Sequence, residues 1–208
     1  MMKPPSILLT LAIFIPAGLL FAEEKAASDP KPLIEKAVKA VGGEDKRFKL
    51  IRIKERFNSG SVAAAPEKAS TRESIIEPPG NWWLGGKDRT GEPAKFDVWG
   101  WTLGALVDPK SVVEVVPDVT ENEKPAFGLR VSGTVTPAME LYFDATTHRL
   151  VRLDWRGDIY RFSDWKEHDG TGYPSKTVIF KTKATEPWFF HEILELERLT
   201  ELPAGLVR

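Results

Sequence analysis

From Leu50 to Leu199 the chain is a succession of short runs in which apolar and polar residues alternate, with turn residues between them. Alternation has the period of a strand, whose successive side chains point to opposite faces. Turn signals every ~8–12 residues in such a series predict a meander or barrel of antiparallel strands. In "LIRIKERF", Ile51, Ile53 and Phe57 alternate with Arg52, Lys54 and Arg56, as a half-buried strand requires. "RESIIE" and "NWWLGG" flank the turn signal "PPG", and a Pro-bounded run "SVVEVVPD" lies further on. "KFDVWGW" also reads as a strand, as do "FGLRVSGT", "AMELYFD", "RLVRLDW", "DIYRFSDW", "SKTVIFKTK" and "WFFHEILELERL". A further short strand is expected at Val62. The last run has a rival reading, because Phe190, Ile193, Leu194 and Glu197 would also suit a helix.

One segment has helical period. In "DPKPLIEKAVKAVGG", Leu33, Ile34, Ala37, Val38 and Val41 fall on one face. Asp29 is placed to cap the helix, Pro30 suits its first position, and Gly42 or Gly43 can take the left-handed stop. Such a helix needs an apolar surface to lie on. The fold class expected is therefore α+β: a curved antiparallel β-sheet or incomplete β-barrel, with an N-terminal helix packed in its concave face.

The N-terminus has the layout of a secretory signal. Lys3 precedes an apolar run from Ile7 to Phe21, and Ala22 stands before two glutamates. Pro16 and Gly18 interrupt the run, which at about 15 residues falls short of the ~20 needed to span a bilayer. The expected organisation is a signal peptide over residues 1–22, a flexible leader over 23–28 and one domain over 29–208. Export to the periplasm or the extracellular space follows, with no integral membrane span after cleavage.

Of the 208 residues none is Cys, which excludes disulfides, thiolate catalysis, Cys-ligated metal and a lipidated N-terminal Cys. The net charge of −1 gives no electrostatic case for a nucleic-acid partner. Motifs for chemistry are weak. "HDGTGYP" carries Asp-Gly-Thr-Gly once, whereas aspartic proteases need two carboxylates that share a proton. Asp-Gly between alternating runs reads instead as a hairpin turn. "HEILE" lacks the second His of a zinc helix, and His191 is expected on the outer face of the last strand. His148 reads as a hairpin residue with positive φ. No cofactor, metal site or catalytic residue is expected.

The aromatic content is the more informative signal. The chain has seven Trp, four of them within Trp82–Trp101. Trp99 and Trp101 flank Gly100, so on a strand they point to one side. They serve either as core filling or as the wall of a greasy pocket. On the same reasoning Leu141 and Phe143 share a face, as do Val151, Leu153 and Trp155. The candidate hydrophobic-ligand set is Trp82, Trp83, Trp99, Trp101, Leu103, Leu141, Phe143, Val151, Leu153 and Trp155. The helix Leu33–Val41 and the segment Trp101–Val107 are candidate lids or permanent core.

Several segments resemble secreted bacterial proteins of the outer-membrane lipoprotein-sorting (LolA-like) group. "LIEKAVKAVGGEDKRFKL" is similar to the group's opening helix and its stop. "FGLRVSGTVTPAMELYFDATTHRLVRLDW" and "YRFSDWKEHDGTGYPSKTVIF" are similar to two of its hairpins, and "ELERLTELPAGLVR" to its closing strand and tail. The resemblance implies an incomplete barrel over helical lid elements, enclosing a hydrophobic cavity that in carriers of the group holds lipoprotein acyl chains. The function expected is non-catalytic binding of a hydrophobic small molecule or acyl chain. The alternatives are an interaction module for an envelope protein partner, its concavity filled by its own side chains, and an unrecognised hydrolase.

Overall fold

A computed structural model describes residues 29–92 and 95–208. The expectations placed on residues 1–28 lie outside the described residues. Helix α1 spans Lys31–Ala40. The Asp29 carboxylate accepts from the Lys31 N–H, and Gly42 (φ 112°) and Gly43 donate to the Lys39 and Val38 carbonyls, closing a Schellman stop. A side chain on Gly42 would start 2.1 Å from the Gly170 carbonyl oxygen, so glycine is required by space as well as by φ.

The strands are β1 Ile51–Ser59, β2 Ser70–Glu77, β3 Asn81–Leu84, β4 Lys87–Asp88, β5 Val112–Glu121, β6 Lys124–Ser132, β7 Met139–Asp144, β8 Leu150–Trp155, β9 Asp158–His168, β10 Thr171–Lys181 and β11 Pro187–Arg198. Two short helices, α2 Lys95–Trp101 and α3 Gly104–Val107, join β4 to β5. The strands form one 11-stranded sheet in the order β4-β3-β2-β1-β11-β10-β9-β8-β7-β6-β5. Every pairing is antiparallel. Its two edges, β4 and β5, are neighbours in the chain. The sheet is thus a curved, unclosed α+β layer whose seam is bridged by α2 and α3.

The last run is strand throughout, and "KFDVWGW" is helix. The second outcome corrects the alternation reading. Residues 98–106 are buried in an unbroken run, so the segment shows no amphipathic period by which helix and strand could be told apart. Val62 lies in a bend and is 76% exposed, not in a strand. The Asp169-Gly170 turn and positive φ at His148 are as expected.

One face of the sheet carries the core. Ile51, Ile53, Leu129, Val131, Leu141, Phe143, Leu150, Leu153 and Leu196 pack there with Ala37, Val38 and Val41 of α1. The opposite face of β1 and β11 carries the pairs Arg52–Glu197 (2.7 Å), Lys54–Glu195 (2.8 Å) and Arg56–Glu192. Exposed pairs of this kind contribute only ~0–1 kcal/mol each; their role here is to keep that face wet.

Two bulges set which residues face inward. In β11 the register with β1 shifts at Lys54/Glu55, leaving Leu194 unpaired. Phe189, His191 and Ile193 therefore face inward on one side of the bulge and Leu196 on the other. His191 is thus on the inner face, contrary to expectation. Similarly, Phe143 pairs with Leu150 while Tyr142 pairs with Arg152, so Val151 is the extra residue. Val151 packs with Val116, Ala126 and Tyr142 on the outer side, not with Leu153 and Trp155.

Candidate functional site: a half-filled concavity

Helices α2 and α3 fill the β5–β8 half of the concave face. Gly100 sits so close to the sheet that an added Cβ would lie 2.4 Å from Leu153 Cδ1 and 3.3 Å from Met139 Sδ. Leu103, between the helices, has φ 59° and no solvent exposure. A left-handed leucine is uncommon, and its complete burial holds it there. The other half of the concavity is open. A cavity of about 330 Å3 is bordered by β1, β2, β11, β10 and β9 and by one side of α2. That volume is at the small end of ligand sites, ~300–1,000 Å3.

Trp82, Trp101 and Trp155 line this cavity, with Ile53, Ile76 and Phe189 among the apolar contributors. The other candidate residues lie elsewhere. Trp99 borders a wider, more open depression of about 490 Å3 beside Phe48, Pro78 and Pro109, and its ring lies against Gly104. Residues 99 and 101 of one helix are about 200° apart, so the two rings diverge where a strand would align them. Trp83 is buried on the face opposite to Trp82. Leu103, Leu141, Phe143 and Leu153 are fully buried core under α2 and do not border the cavity; Val151 is on the far side of the sheet.

The lining also carries a buried polar cluster, which the aromatic reading does not anticipate. Glu55, 3% exposed, accepts from Arg72 Nε (2.7 Å) and Ser74 Oγ (2.9 Å) and is hydrogen-bonded to His191 Nε2. Burial opposes its ionisation, but the bond and charge of His191 and the charge of Arg72 outweigh it and hold the carboxyl down to about 2. Asp97 of α2 behaves in the opposite way. Loss of water around it pushes its carboxyl up to about 7, although His191, Arg72 and the Val98 N–H favour the charged form. The nearby Glu55 charge adds to the rise. Asp97 in turn raises the Tyr160 hydroxyl, which burial already pushes up.

The positions were partly readable. In "IRIKERF" the inward set is Ile51, Ile53, Glu55 and Phe57, and an acid in an otherwise apolar set is the signal. Arg72 and Ser74 are its neighbours on the inward side of "RESIIE". His191 is hidden by the bulge, and Asp97 by the helix. Ser74, Glu55 and His191 do not form a nucleophile relay. The Ser hydroxyl donates to the Glu, and the His is bonded to that same Glu, whereas a relay needs the His in contact with the nucleophile. Among the described residues, no group of three or more His, Asp or Glu is arranged to hold a metal ion.

No family model matches the chain, and no curated protein matches it in sequence. Solved structures do match in fold. A LolA superfamily protein from Nitrosomonas europaea superposes with a TM-score of 0.53 at 9% identity, over 85% of this chain and 96% of that one. A domain from Vibrio parahaemolyticus described as outer-membrane lipoprotein-sorting gives 0.49 at 12% identity, over 85% and 96%. A DUF1329 family protein from Desulfovibrio piger gives the same score, identity and coverage. The fold is LolA-like. Among the described residues no helix is long and apolar enough to cross a membrane.

Proposed function

We propose that this protein is a non-catalytic envelope protein that binds one small hydrophobic or amphiphilic molecule, such as a lipid or a lipoprotein acyl chain, in the open half of its concave face. The observation that carries this reading is the cavity of about 330 Å3 walled by Trp82, Trp101 and Trp155 on the inner side of a LolA-like sheet. Each methylene buried there contributes ~0.8 kcal/mol, so a chain of about ten carbons suffices for useful affinity. Export, as the N-terminal layout suggests, would place the protein where such molecules are in transit. The rival interaction module draws support from the part of the concave face over β7 and β8, which α2 packs against; an envelope protein would then be the partner.

A bromoalkyl alcohol separates the two. Bromine quenches tryptophan on contact, so titration with 10-bromodecanol should quench saturably, at one molecule per chain. Trp82→Phe and Trp101→Phe should each reduce the quenching, and Trp99→Phe should leave it unchanged. Absence of saturable quenching favours the interaction module.

A further inference from the structure

Ligand cavities that take acyl chains normally bury the chain and leave the polar end at the mouth. Here charged groups are also built into the buried lining. Glu55 (3%) and Ser74 (1%) are as buried as the apolar lining residues Ile53 and Ile193 (2%), Ile76 (3%) and Trp82, Trp101 and Trp155 (4%), whereas Trp188 is 37% exposed and Glu92 and Arg156 are exposed. A charged pair, Glu55 with Arg72, is therefore set among the buried lining as well as charge at the exposed rim.

The donors of this lining are incompletely used. Trp82 lines the cavity and is almost fully buried, yet its indole Nε1 has no hydrogen-bond partner among the described residues. Leaving such a buried donor unpaired costs ~1–3 kcal/mol. By contrast Trp155 and Trp188, which also line the cavity, donate to the Pro137 carbonyl (2.9 Å) and the Asp158 carboxylate (3.0 Å). Arg72 spends its Nε–H on Glu55, and its guanidinium lies 4.6 Å from the Phe57 ring centre and 5.8 Å from that of Trp82. Its terminal amino groups have no acceptor among the described residues. Asp97 lines the same space.

We propose that the occupant enters polar end first and is a single-chain carboxylic acid, its carboxylate received by Arg72, the Trp82 indole N–H and the Asp97 carboxyl, its alkyl part running out past Trp101 and Trp155. An ammonium head is a donor only. It would leave Trp82 unpaired and face the Arg72 charge. An alcohol accepts more weakly than a carboxylate, because charge-assisted bonds are about twice as strong as neutral ones. With its proton on, Asp97 donates to the incoming carboxylate; with the proton lost, it repels it. The groups facing Asp97 are Glu55 of β1, Arg72 of β2, His191 of β11 and Tyr160 of β9.

This inference rests on the cavity being a binding site, and the test separates the two. Decanoate, decanol and decylamine are titrated into the protein by calorimetry at about pH 6 and about pH 8.5. Decanoate should bind at least tenfold more tightly than decanol at the lower pH, with decylamine weakest. Its affinity should fall several-fold at the higher pH, and Asp97→Asn should abolish that fall. Trp82→Phe, which keeps the ring and removes the N–H, should weaken decanoate more than decanol. Equal or tighter binding of decylamine or decanol, or a Trp82→Phe protein that binds decanoate as before, overturns the inference and leaves the cavity reading standing. Binding of none of the three overturns both.

Discussion

Glu55 and Asp97 are two carboxyls of one cavity with opposite titration behaviour. Glu55 has a folded-state value below its ordinary 4.5, so its stabilising contribution is present above about 4.5 and is lost as pH falls toward about 2. Asp97 has a value raised from 3.8 to about 7, so its contribution is present below about 3.8 and is lost as pH rises through about 7. Denaturant unfolding as a function of pH should therefore give a curve that rises through the acid region and sags between about pH 4 and 7. Asp97→Asn should remove the sag and raise stability at pH 8 by roughly 2 kcal/mol. Glu55→Ala should cost about 3 kcal/mol near neutrality, because it strands the Arg72, Ser74 and His191 donors around an empty site. A neutral effect of Glu55→Ala would mean that water replaces the carboxylate. At this scale the sequence was readable where a residue broke a pattern, as Glu55 does, and unreadable where the pattern itself was shifted. Each bulge inverts the inward set beyond it, so counting back by twos from Leu196 puts His191 outside, and counting back from Leu153 puts Val151 inside.

At the scale of elements, the hairpins and α1 were legible because each carries both a periodic face and its own stop signal: Gly42-Gly43 for α1, Asp169-Gly170 for β9–β10. The plug was not. Val98, Trp99, Gly100 and Trp101 of α2 are all buried, whether against the sheet or beside the cavity, and a helix with no exposed face leaves no periodic trace. The local preference for Ala over Gly in a helix is ~1 kcal/mol, so Gly100→Ala would stabilise a free helix. In this position it should destabilise the protein by about 1–3 kcal/mol, because Leu153 and Met139 must give way. Urea unfolding tests it; a stabilised variant would show that α2 is not held against the sheet. The same close approach sets α2 against β7 and β8 and leaves its other side, with Asp97 and Trp101, as one wall of the cavity.

For the whole molecule, the fold class followed from strand count, turn spacing and one helix, and the LolA-like resemblance agrees with it. What alternation could not convey is that the concavity is divided. The sheet's edges, β4 and β5, are joined by the α2–α3 connection, so closing the seam and filling one half of the bowl are a single event in the chain. The remaining half keeps a void with aromatic walls and a buried charged cluster, a combination that close packing removes from ordinary cores. That void is the central claim, and native mass spectrometry of the protein purified from its own source without detergent tests it most directly. The expected spectrum shows a fraction of the protein carrying one small amphiphile, shed on organic extraction and regained when a ten-carbon acid is added. Bare protein before and after that addition, with the fold intact, would contradict it.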